Sequence, residues 1–436
     1  MDVCITPSPI TGSVRAIASK SMAHRLLICA ALCPGPTSIL CTTTSKDIEA
    51  TVRCLEALGA RVVRDGDWLR VTPIPGVPAS DNIRQATKGA VLDCGESGST
   101  LRFLLPVAAA LACDAQLCGQ GRLAERPLSP LYEELMIGGA NMSEPGRFPL
   151  VVGGRLRAGR FELPGNVSSQ YISGLLLAAP LLGSPSEIWV TNPIESRPYV
   201  DLTIKALAAF GVEVSEAREE REGVAHTVFS VSPQTPFCSP GMVEVEGDWS
   251  NAGFWLAAGA LGGPVSVEAL DLLSRQGDRA VMAALAKLGA RITRSGSVAT
   301  AERGAACGCE MDVSDFPDLV PPLAAVAALA PGTTRLTGCA RLRLKESDRI
   351  ETVCAGLAAL GAHITSEGDD IVIEGSEQLA GGTVDGAGDH RIAMMAAIAS
   401  TRCAGPVTIL GAECVEKSYP AFFADLASLG GVVREL

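Results

Sequence analysis

One helix ending recurs six times along the chain, and this repeat limits the possible folds more than any other feature. Two clear copies are LEALGA, residues 55–60, and LAKLGA, residues 285–290. Glycine at this position takes the left-handed conformation that ends a helix, and a strand follows in most copies. The sequence therefore predicts a repeated unit that contains a helix, a turn and a strand. The shared glycines, 69 to 80 residues apart, are Gly59, Gly139, Gly211, Gly289, Gly361 and Gly430.

A second helix is predicted in each repeat, apolar nearly all round, as is typical of a buried helix. The predicted capping residues are Ser19, Ser99, Ser168, Ser250, Asp318 and Asp389, and the helices run roughly to Leu32, Leu111, Pro180, Leu261, Leu329 and Ala399. Units of about 70 residues are too long for a solenoid repeat and suit a compact α/β unit. We therefore predict an α/β (α+β) chain with two similar lobes of three units each.

The lobe boundaries follow from chain length and from breaks in the repeat. A chain of 436 residues usually forms two to three domains. We expect the chain to cross between lobes near residues 17–19 and again near residues 236–240, where Pro and Ser interrupt the repeat. The predicted N-terminal lobe is 19–237, and the C-terminal lobe combines 1–18 with 238–436.

Composition excludes several classes of function. Hydrophobic residues make up 47% of the chain and charged residues 19%, which is typical of a globular enzyme. The net charge of -12 argues against nucleic acid or an anionic membrane as the main partner. The fifteen cysteines are scattered and no signal peptide is apparent, so we expect reduced thiols in the cytoplasm. No apolar run is long enough for a membrane span, and four histidines without ligand spacing predict no metal site.

The predicted helix starts are rich in polar residues, which suggests an anion site. Buried helices would direct free N–H groups and positive dipole ends to a common place. Lys20, Ser21 and Arg25 lie in the first turns of one helix, and the Gly/Ser loop at residues 95–102 leads into another. Each residue alone could be a cap, a surface ion pair or a structural histidine, but their recurrence favours a site. The other polar residues near such starts are Arg102, Arg122, Glu125, Arg126, Ser168, Ser169, Gln170, Asp315, Asp318, His390, Arg391 and Lys417.

A second charged segment, residues 341–349, has four basic and two acidic side chains. Its basic residues alternate with leucines up to Lys345, so we predict a strand with one cationic face. Ser347 would cap the following helix, with Asp348 in its first turn and Glu346 at the junction. The alternative is a solvated edge strand with surface ion pairs.

Eight motifs, spread in order over nearly the whole chain, resemble those of a known family. The sequence resembles the 5-enolpyruvylshikimate-3-phosphate synthases, within the enolpyruvyl transferases. The motifs, in order, are KSxxxR from Lys20, GESGSTLRFLLP from Gly95, ERP from Glu125, SSQ from Ser168, PD at Pro317, RLKESDR from Arg343, DHR from Asp389, and Lys417.

The resemblance implies both a fold and a reaction. Each lobe would have three βαβαββ-type units around buried parallel helices, an inside-out α/β barrel, with the active site in the cleft between lobes. The reaction would transfer the enolpyruvyl group of phosphoenolpyruvate to the 5-hydroxyl of shikimate 3-phosphate and release phosphate, on the pathway to chorismate and aromatic amino acids. The resemblance implies no cofactor, two small anionic substrates and a monomeric cytoplasmic enzyme.

The resemblance also implies roles for individual residues. Asp318 would take the hydroxyl proton, Glu346 would protonate the methylene carbon, and Lys20 would assist the departure of phosphate. Arg349 and Arg391 would form a bidentate clamp on the carboxylate of phosphoenolpyruvate. The residues expected around phosphoenolpyruvate are Lys20, Gly98, Arg126, Gln170, Arg349, Arg391 and Lys417. Those expected around shikimate 3-phosphate are Lys20, Ser21, Arg25, Ser168, Ser169, Gln170, Ser196, Asp318 and Lys345.

Two other functions are possible for a chain of this fold. The UDP-N-acetylglucosamine enolpyruvyl transferases have Lys-Asn in place of Lys20-Ser21, and a reactive cysteine where this chain has Gly121. Cys118 is nearby but out of register. A non-catalytic anion-binding protein of the same fold would not need Asp318 and Glu346.

The chain departs from the commonest family pattern at three positions. Glu96 replaces a frequent Asn, Phe103 a frequent Pro, and Arg341 a frequent Asn beside the shikimate site. The first two flank Gly98, so they affect the expected sensitivity to glyphosate, the family's known competitor of phosphoenolpyruvate.

Overall fold

The structure is a computed structural model that describes residues 1–77, 89–234 and 236–436. Contacts within the chain divide it into two compact units. One unit is Ala18–Val245, and the other combines Met1–Ile17 with Glu246–Leu436. Each described unit contains three four-stranded sheets of one topology.

The βαβαββ-type repeat is confirmed in all six sheets. In each, an edge strand pairs in parallel with the strand next to it, and the remaining two pairings are antiparallel. Because a parallel pair needs a crossover, a buried helix connects the first two strands in the uninterrupted repeats. The α/β fold predicted from the repeat is therefore the fold observed.

The unit Ala18–Val245 has three buried helices, three outer helices and twelve strands among its described residues. Its sheets, in hydrogen-bonding order, are Met242–Glu244, Thr37–Leu40, Trp68–Thr72 and Arg61–Asp65; Val91–Asp93, Ala115–Cys118, Leu150–Gly154 and Ala140–Met142; and Arg160–Pro164, Ser186–Thr191, Val224–Val231 and Val214–Arg221. The buried helices are Lys20–Leu32, Gly98–Ala110 and Ser169–Ala178. The outer helices are Lys46–Ala57, Leu131–Ile137 and Arg197–Ala209, and the 3-10 turns are Gly121–Glu125 and Ala179–Leu181.

The second unit repeats this plan. Its sheets are Gly12–Arg15, Val265–Glu268, Val298–Glu302 and Arg291–Ser295; Glu310–Asp312, Thr333–Thr337, Asp370–Glu374 and His363–Glu367; and Gly382–Asp385, Val407–Leu410, Val3–Thr6 and Val432–Glu435. The buried helices are Trp249–Leu261, Val320–Ala327 and His390–Ala399, and the outer ones are Val281–Lys287, Arg349–Ala359 and Phe422–Ser428. Its 3-10 turns are Gly277–Ala280, Pro317–Leu319, Ala340–Leu344, Ser400–Arg402 and Ala412–Lys417.

The two crossings exchange a strand between the repeats. Strand Gly12–Arg15 comes before helix Lys20–Leu32 in the chain but pairs with Val265–Glu268. Strand Met242–Glu244 pairs with Thr37–Leu40. The division therefore falls after Ile17 and after Val245, later at the second crossing than the predicted boundary at 237/238, because the intervening strand belongs to the earlier sheet.

Close packing of the buried helices depends on small residues. Every residue of Trp249–Leu261 is buried. In the other unit a side chain at Gly174 would place its Cβ 2.3 Å from the backbone oxygen of Arg102. Helices Gly98–Ala110 and Ser169–Ala178 can approach this closely only with glycine there.

The predicted helix endings are confirmed, since all six repeat glycines have φ between 80° and 106°. The caps Ser19, Ser168 and Asp389 are confirmed as well, each accepting a hydrogen bond from its own helix. The predicted cap Asp318 is wrong, because it lies inside the 3-10 turn Pro317–Leu319 and helix Val320–Ala327 has no side-chain cap. The predicted caps Ser99 and Ser250 are each two residues too late: Ser97 accepts from Thr100 N, and Asp248 from Asn251 N. These earlier residues have the extended backbone that lets a side chain reach the first turn.

The strand expected over residues 341–345 is wrong. Residues Ala340–Leu344 form a 3-10 turn, and Leu344 is 49% exposed. Strand Thr333–Thr337 already occupies the place in the sheet, and Gly338, at φ 75°, turns the chain away. Asp348 caps helix Arg349–Ala359, accepting from Ile350 N and Glu351 N, so Ser347 is not the cap.

The fifteen cysteines all lie in the described residues and are free thiols. None of the helices described is both long and apolar enough to cross a membrane.

Candidate active site

The residues singled out from the sequence fall into two groups, one in each unit. We call Lys20, Ser21, Arg25, Gly98, Arg126, Ser168, Ser169, Gln170 and Ser196 the Lys20 group. We call Asp318, Lys345, Glu346, Arg349, Arg391 and Lys417 the Asp318 group. Within each group the residues lie at or near the first turns of helices or in adjoining 3-10 turns.

Lys20 is the first residue of its helix and is held by a carboxylate. Its Nζ lies 2.8 Å from Asp47 Oδ2, with the two side chains 18% and 8% exposed. Asp47 belongs to the first turn of helix Lys46–Ala57, which Ser45 caps. Asp47 was not predicted as a site residue, although Ser45 followed by acidic residues is a typical helix start.

Arg25 is buried and bonded to neutral groups. It donates to Thr203 Oγ1 and to the backbone oxygen of Tyr199, both at 2.8 Å, and to Ser21 O at 2.6 Å. Its guanidinium also lies 4.8 Å from the ring centre of Phe103. Burial lowers the pKa of Arg25 to about 10, so it still carries a positive charge at neutral pH. A buried cation with neutral partners favours an anion nearby.

Gln170 has a fixed amide orientation. Its Oε1 accepts from Arg102 Nη1 at 2.7 Å, and its Nε2 donates to Ser99 Oγ at 2.9 Å. Arg102 also donates to Pro127 O at 3.2 Å. Arg102 therefore connects two helix starts.

Gly98 and Arg126 are in direct contact. A Cβ at Gly98 would lie 2.8 Å from Arg126 Nη1, so the guanidinium packs against the first turn of helix Gly98–Ala110. Arg126 Nε is buried without a hydrogen-bond partner among the described residues. A cation at a helix N-terminus is an arrangement that binds anions.

The remaining serines of the Lys20 group are at helix starts as well. Ser168 caps its helix by accepting from Gln170 N. Ser169 and Ser196 are buried. Ser196 has left-handed backbone angles, φ 53° and ψ 38°, just before helix Arg197–Ala209, a strained conformation found more often at functional sites.

Arg349 is the centre of the Asp318 group and is 1% exposed. Its guanidinium donates to Asp318 at 2.7 Å, to Glu346 at 2.5 Å, and to Asp389 at 2.7 and 3.2 Å. Burial opposes its charge, but the carboxylates of Asp389, Glu346 and Asp318 outweigh burial and raise the pKa of Arg349. Arg349 therefore fixes both candidate catalytic carboxylates.

Asp318 has three cationic neighbours. Its Oδ1 accepts from Lys345 Nζ at 3.2 Å as well as from Arg349, and Arg391 Nη2 lies 3.3 Å from its Oδ2. Burial alone would raise the pKa of Asp318, but Arg391, Lys345 and Arg349 hold it well below its ordinary value. The carboxylate is thus ionised and 17% exposed, as a proton acceptor must be.

The other cations of this group are also enclosed. Burial is the largest cause lowering the pKa of Lys345, which Asp318 partly offsets. Arg391 donates to the backbone oxygen of Asp318 at 3.1 Å, and Lys417 is 7% exposed. Asp389 was predicted as a cap and as part of the DHR motif, but its ion pair with Arg349 was not predicted, since the two are 40 residues apart in sequence.

The described residues also bear on thiol chemistry and on metal binding. Burial, with a further contribution from Asp93, raises the pKa of Cys118, which is opposite to the shift of an activated thiol. No group of three His, Cys, Asp or Glu side chains among the residues described could hold a metal ion.

Comparisons with known proteins agree on one family. The family model described as EPSP synthase (3-phosphoshikimate 1-carboxyvinyltransferase) matches residues 5–426. A 3-phosphoshikimate 1-carboxyvinyltransferase of Clostridium kluyveri is 39% identical over 434 residues, covering 99% of this chain and 98% of its own. One from Clostridium perfringens strain 13 is 41% identical over 435 residues, with 99% of both chains covered. A solved EPSP synthase structure from Acinetobacter baumannii superposes with a TM-score of 0.79 at 26% identity, covering 100% of both chains.

Proposed function

Because the chain belongs to the EPSP synthase family, we propose that the residues of the Lys20 group and of the Asp318 group bind and convert the two substrates of that family's reaction. The chain transfers the enolpyruvyl group of phosphoenolpyruvate to the 5-hydroxyl of shikimate 3-phosphate, in aromatic amino acid biosynthesis. The observation that carries the proposal is the triple contact of Arg349 with Asp318, Glu346 and Asp389, because it holds a candidate base and a candidate acid beside cations.

The Lys20 group supplies substrate binding. We assign shikimate 3-phosphate to Ser21, Arg25, Ser168, Ser169, Gln170 and Ser196, together with Asp318 and Lys345. We assign phosphoenolpyruvate to Gly98, Arg126 and Gln170, together with Arg349, Arg391 and Lys417, and we assign Lys20 to both substrates. The contact of Arg126 with Gly98 supports the second assignment, because free helix N–H groups and a guanidinium favour phosphate or carboxylate.

The Asp318 group supplies proton transfer. Asp318 accepts the proton of the 5-hydroxyl of shikimate 3-phosphate, while the hydroxyl oxygen attacks the substituted carbon of phosphoenolpyruvate. Glu346 gives a proton to the methylene carbon, and a tetrahedral ketal results. Phosphate then leaves as its C–O bond to the ketal carbon breaks, the methyl group returns a proton to Glu346, and the carbon–carbon double bond is restored. Lys20 stabilises the charge of the departing phosphate.

Arg349 has most of its hydrogen-bonding capacity used by protein carboxylates. Four of its hydrogen bonds go to Asp318, Glu346 and Asp389, so its share of a carboxylate clamp rests on the remaining Nη1 hydrogen.

Acceptor specificity tests the proposed reaction. Phosphate release from phosphoenolpyruvate should depend on shikimate 3-phosphate and should not occur with UDP-N-acetylglucosamine. Release with only the nucleotide sugar would identify the other enolpyruvyl transferase, and binding of both anions without release would identify a non-catalytic protein.

Every residue assigned to the reaction belongs to one chain, so we propose a monomeric enzyme, and free thiols suit the cytoplasm. Sedimentation velocity measurements should give the mass of one chain, and a dimer mass would contradict the proposal.

Gly98→Ala is expected to weaken the binding of glyphosate more than the binding of phosphoenolpyruvate. The added Cβ would meet Arg126 Nη1 at 2.8 Å, so the guanidinium must move. Because glyphosate is the longer ligand, overpacking should cost it about 1–3 kcal/mol more binding free energy than phosphoenolpyruvate. The measurement is the factor by which the inhibition constant rises, compared with the rise in KM for phosphoenolpyruvate.

Gly35→Ala is the matched control, because its Cβ would meet nothing closer than Ser239 Cβ at 3.7 Å. Both constants should stay unchanged in this variant. Equal factors in Gly98→Ala would show that Gly98 does not face the part of the pocket assigned to it.

A further inference from the structure

A buried chain of hydrogen bonds connects three helices and ends at the residue that caps helix Gly98–Ala110. His24 Nδ1 lies 2.7 Å from Thr51 Oγ1, and Thr51 Oγ1 lies 2.7 Å from Thr100 Oγ1. Thr100 Oγ1 donates to Ser97 Oγ at 2.8 Å. All four side chains are buried. We call these four residues the His24 relay.

The protons of the relay can be assigned because each hydroxyl has one hydrogen. Thr100 uses its hydrogen on Ser97, so it must accept from Thr51. Thr51 then has no hydrogen left for His24, and His24 must donate from Nδ1. The ring is therefore the neutral tautomer with hydrogen on Nδ1.

Two independent features agree with this tautomer. His24 Nε2 is buried without a hydrogen-bond partner among the described residues. Burying an unpaired acceptor nitrogen costs less free energy than burying an unpaired N–H donor. Burial lowers the pKa of His24 to about 3, because the surroundings disfavour a charged ring. The charges of Asp47, Lys20 and Arg25 also act on the His24 ring, but they affect its pKa less than burial does.

The relay ends at Ser97, in the loop that precedes helix Gly98–Ala110. On its other side the loop is fixed by backbone bonds: Cys94 N donates to Cys118 O, and Gln120 N donates to Gly95 O. Ser97 Oγ accepts from Thr100 N and from Thr100 Oγ1. Without the relay the Ser97 hydroxyl would lose its bond to Thr100 Oγ1, and the N–H groups at the helix start would be held less firmly in one direction.

We propose that His24, Thr51 and Thr100 are positioning residues that hold the Ser97–Gly98 helix start in the geometry that binds phosphoenolpyruvate. The inference rests on the proposed assignment of Gly98 and Arg126 to that substrate. None of the three is assigned to contact the reacting atoms. Because the relay ends at Ser97, beside the helix start assigned to phosphoenolpyruvate, its loss weakens binding of phosphoenolpyruvate more than binding of shikimate 3-phosphate.

Thr100→Val tests the relay, because it removes the hydroxyl and keeps the shape of the side chain. We expect KM for phosphoenolpyruvate to rise roughly three- to tenfold, as loss of one or two buried hydrogen bonds implies, with KM for shikimate 3-phosphate within about twofold. Thr51→Val should give the same pattern, and Thr100→Ser should restore the wild-type KM. A Thr100→Val protein that folds and keeps its KM for phosphoenolpyruvate would overturn the proposal.

Thr203→Val is the matched comparison within the same unit. Thr203 is also buried and accepts from Arg25 Nε at 2.8 Å, and its Oγ1 lies 2.7 Å from Ser173 Oγ and 3.1 Å from the backbone oxygen of Tyr199. Its loss should raise KM for shikimate 3-phosphate and not that for phosphoenolpyruvate. If both threonine variants raised both constants equally, the effect would be general loosening, and the relay would have no positioning role.

Arg126→Gln separates this inference from the assignment on which it rests. If Arg126→Gln raises KM for phosphoenolpyruvate and Thr100→Val does not, the relay is wrong and the assignment stands. If neither raises that constant, the assignment itself is wrong.

Nitrogen NMR of the four histidines checks the proton assignment without an activity measurement, with His24→Asn identifying the resonance. The His24 ring should show hydrogen on Nδ1 and none on Nε2, unchanged between pH 5 and pH 8. Hydrogen on Nε2, or a titration near the ordinary histidine pKa of about 6.5, would contradict the relay.

Discussion

Glu346→Gln is expected to lower the turnover number by about a hundredfold or more, with shikimate 3-phosphate binding close to that of the unchanged enzyme. A positioned proton donor typically contributes a rate factor of about 10²–10⁴. Glutamine keeps the size of glutamate, and its amide oxygen can still accept the hydrogen bond that Arg349 Nη2 gives to Glu346 Oε2 at 2.5 Å. The change therefore removes the transferable proton and leaves the arrangement around Arg349 in place.

Glu351→Gln is the control for this variant. Glu351 lies in the first turn of the same helix but is exposed, and no role in the reaction is assigned to it. Single-turnover kinetics and the dissociation constant of shikimate 3-phosphate should be measured on all three proteins. Turnover close to normal in Glu346→Gln would remove Glu346 from the mechanism, and a large loss of binding would assign it to substrate binding.

The parts of the fold that depend on local sequence were predictable. Six glycines at near-constant spacing marked helix ends, and all six have the expected backbone conformation. The buried helices were found because they are apolar on every side. Both signals are visible in a short window of sequence, since a helix end and a helix face depend on residues close in the chain.

The parts that depend on distant contacts were not predictable in the same way. Strand Gly12–Arg15 pairs with a strand some 250 residues later, and nothing in its own four residues indicates this partner. Two alternating leucines at positions 342 and 344 suggested a strand, but five residues fit a 3-10 turn as well. Tertiary context decided both cases.

In the candidate site, too, features of the local sequence were predictable and contacts between distant residues were not. Its residue types and their order along the chain supported a family resemblance, and the family is confirmed by the comparisons. The ion pairs were not visible: Arg349 contacts Asp318 and Asp389, 31 and 40 residues away in sequence. These contacts change the expected role of Arg349, from a residue that mainly binds substrate to one that also holds the carboxylates in place.

Asp318→Asn is expected to lower turnover by about a hundredfold or more while binding of the anionic substrates stays the same or becomes tighter. Loss of the carboxylate removes the proton acceptor. It also removes a negative charge beside Lys345, Arg349 and Arg391, so their attraction for phosphate and carboxylate groups increases. A fall in turnover with no rise in either dissociation constant is the pattern that assigns Asp318 to chemistry.

Stability should change in the same variant, with a defined pH dependence. The pKa of Asp318 is held well below its ordinary value in the folded chain, so its ionised form stabilises the fold. That contribution is complete above the unfolded-state pKa of about 3.9 and is lost as pH falls through the folded-state pKa. We therefore expect Asp318→Asn to be less stable than the wild type at neutral pH, by about 1–3 kcal/mol for a partly exposed ion-pair network. The difference should shrink in strong acid.

Asp370→Asn is the matched control, because Asp370 pairs with Arg335 at 2.8 Å near the surface, where an ion pair contributes about 0–1 kcal/mol. Urea unfolding of the three proteins at neutral and acidic pH measures the differences. Since Asp318 is surrounded by cations, its charge matters most when no anionic substrate is bound. Saturation with shikimate 3-phosphate should therefore stabilise Asp318→Asn at least as much as it stabilises the wild type. A smaller ligand effect in the variant would mean that Asp318 binds the substrate more than it balances the cations around it.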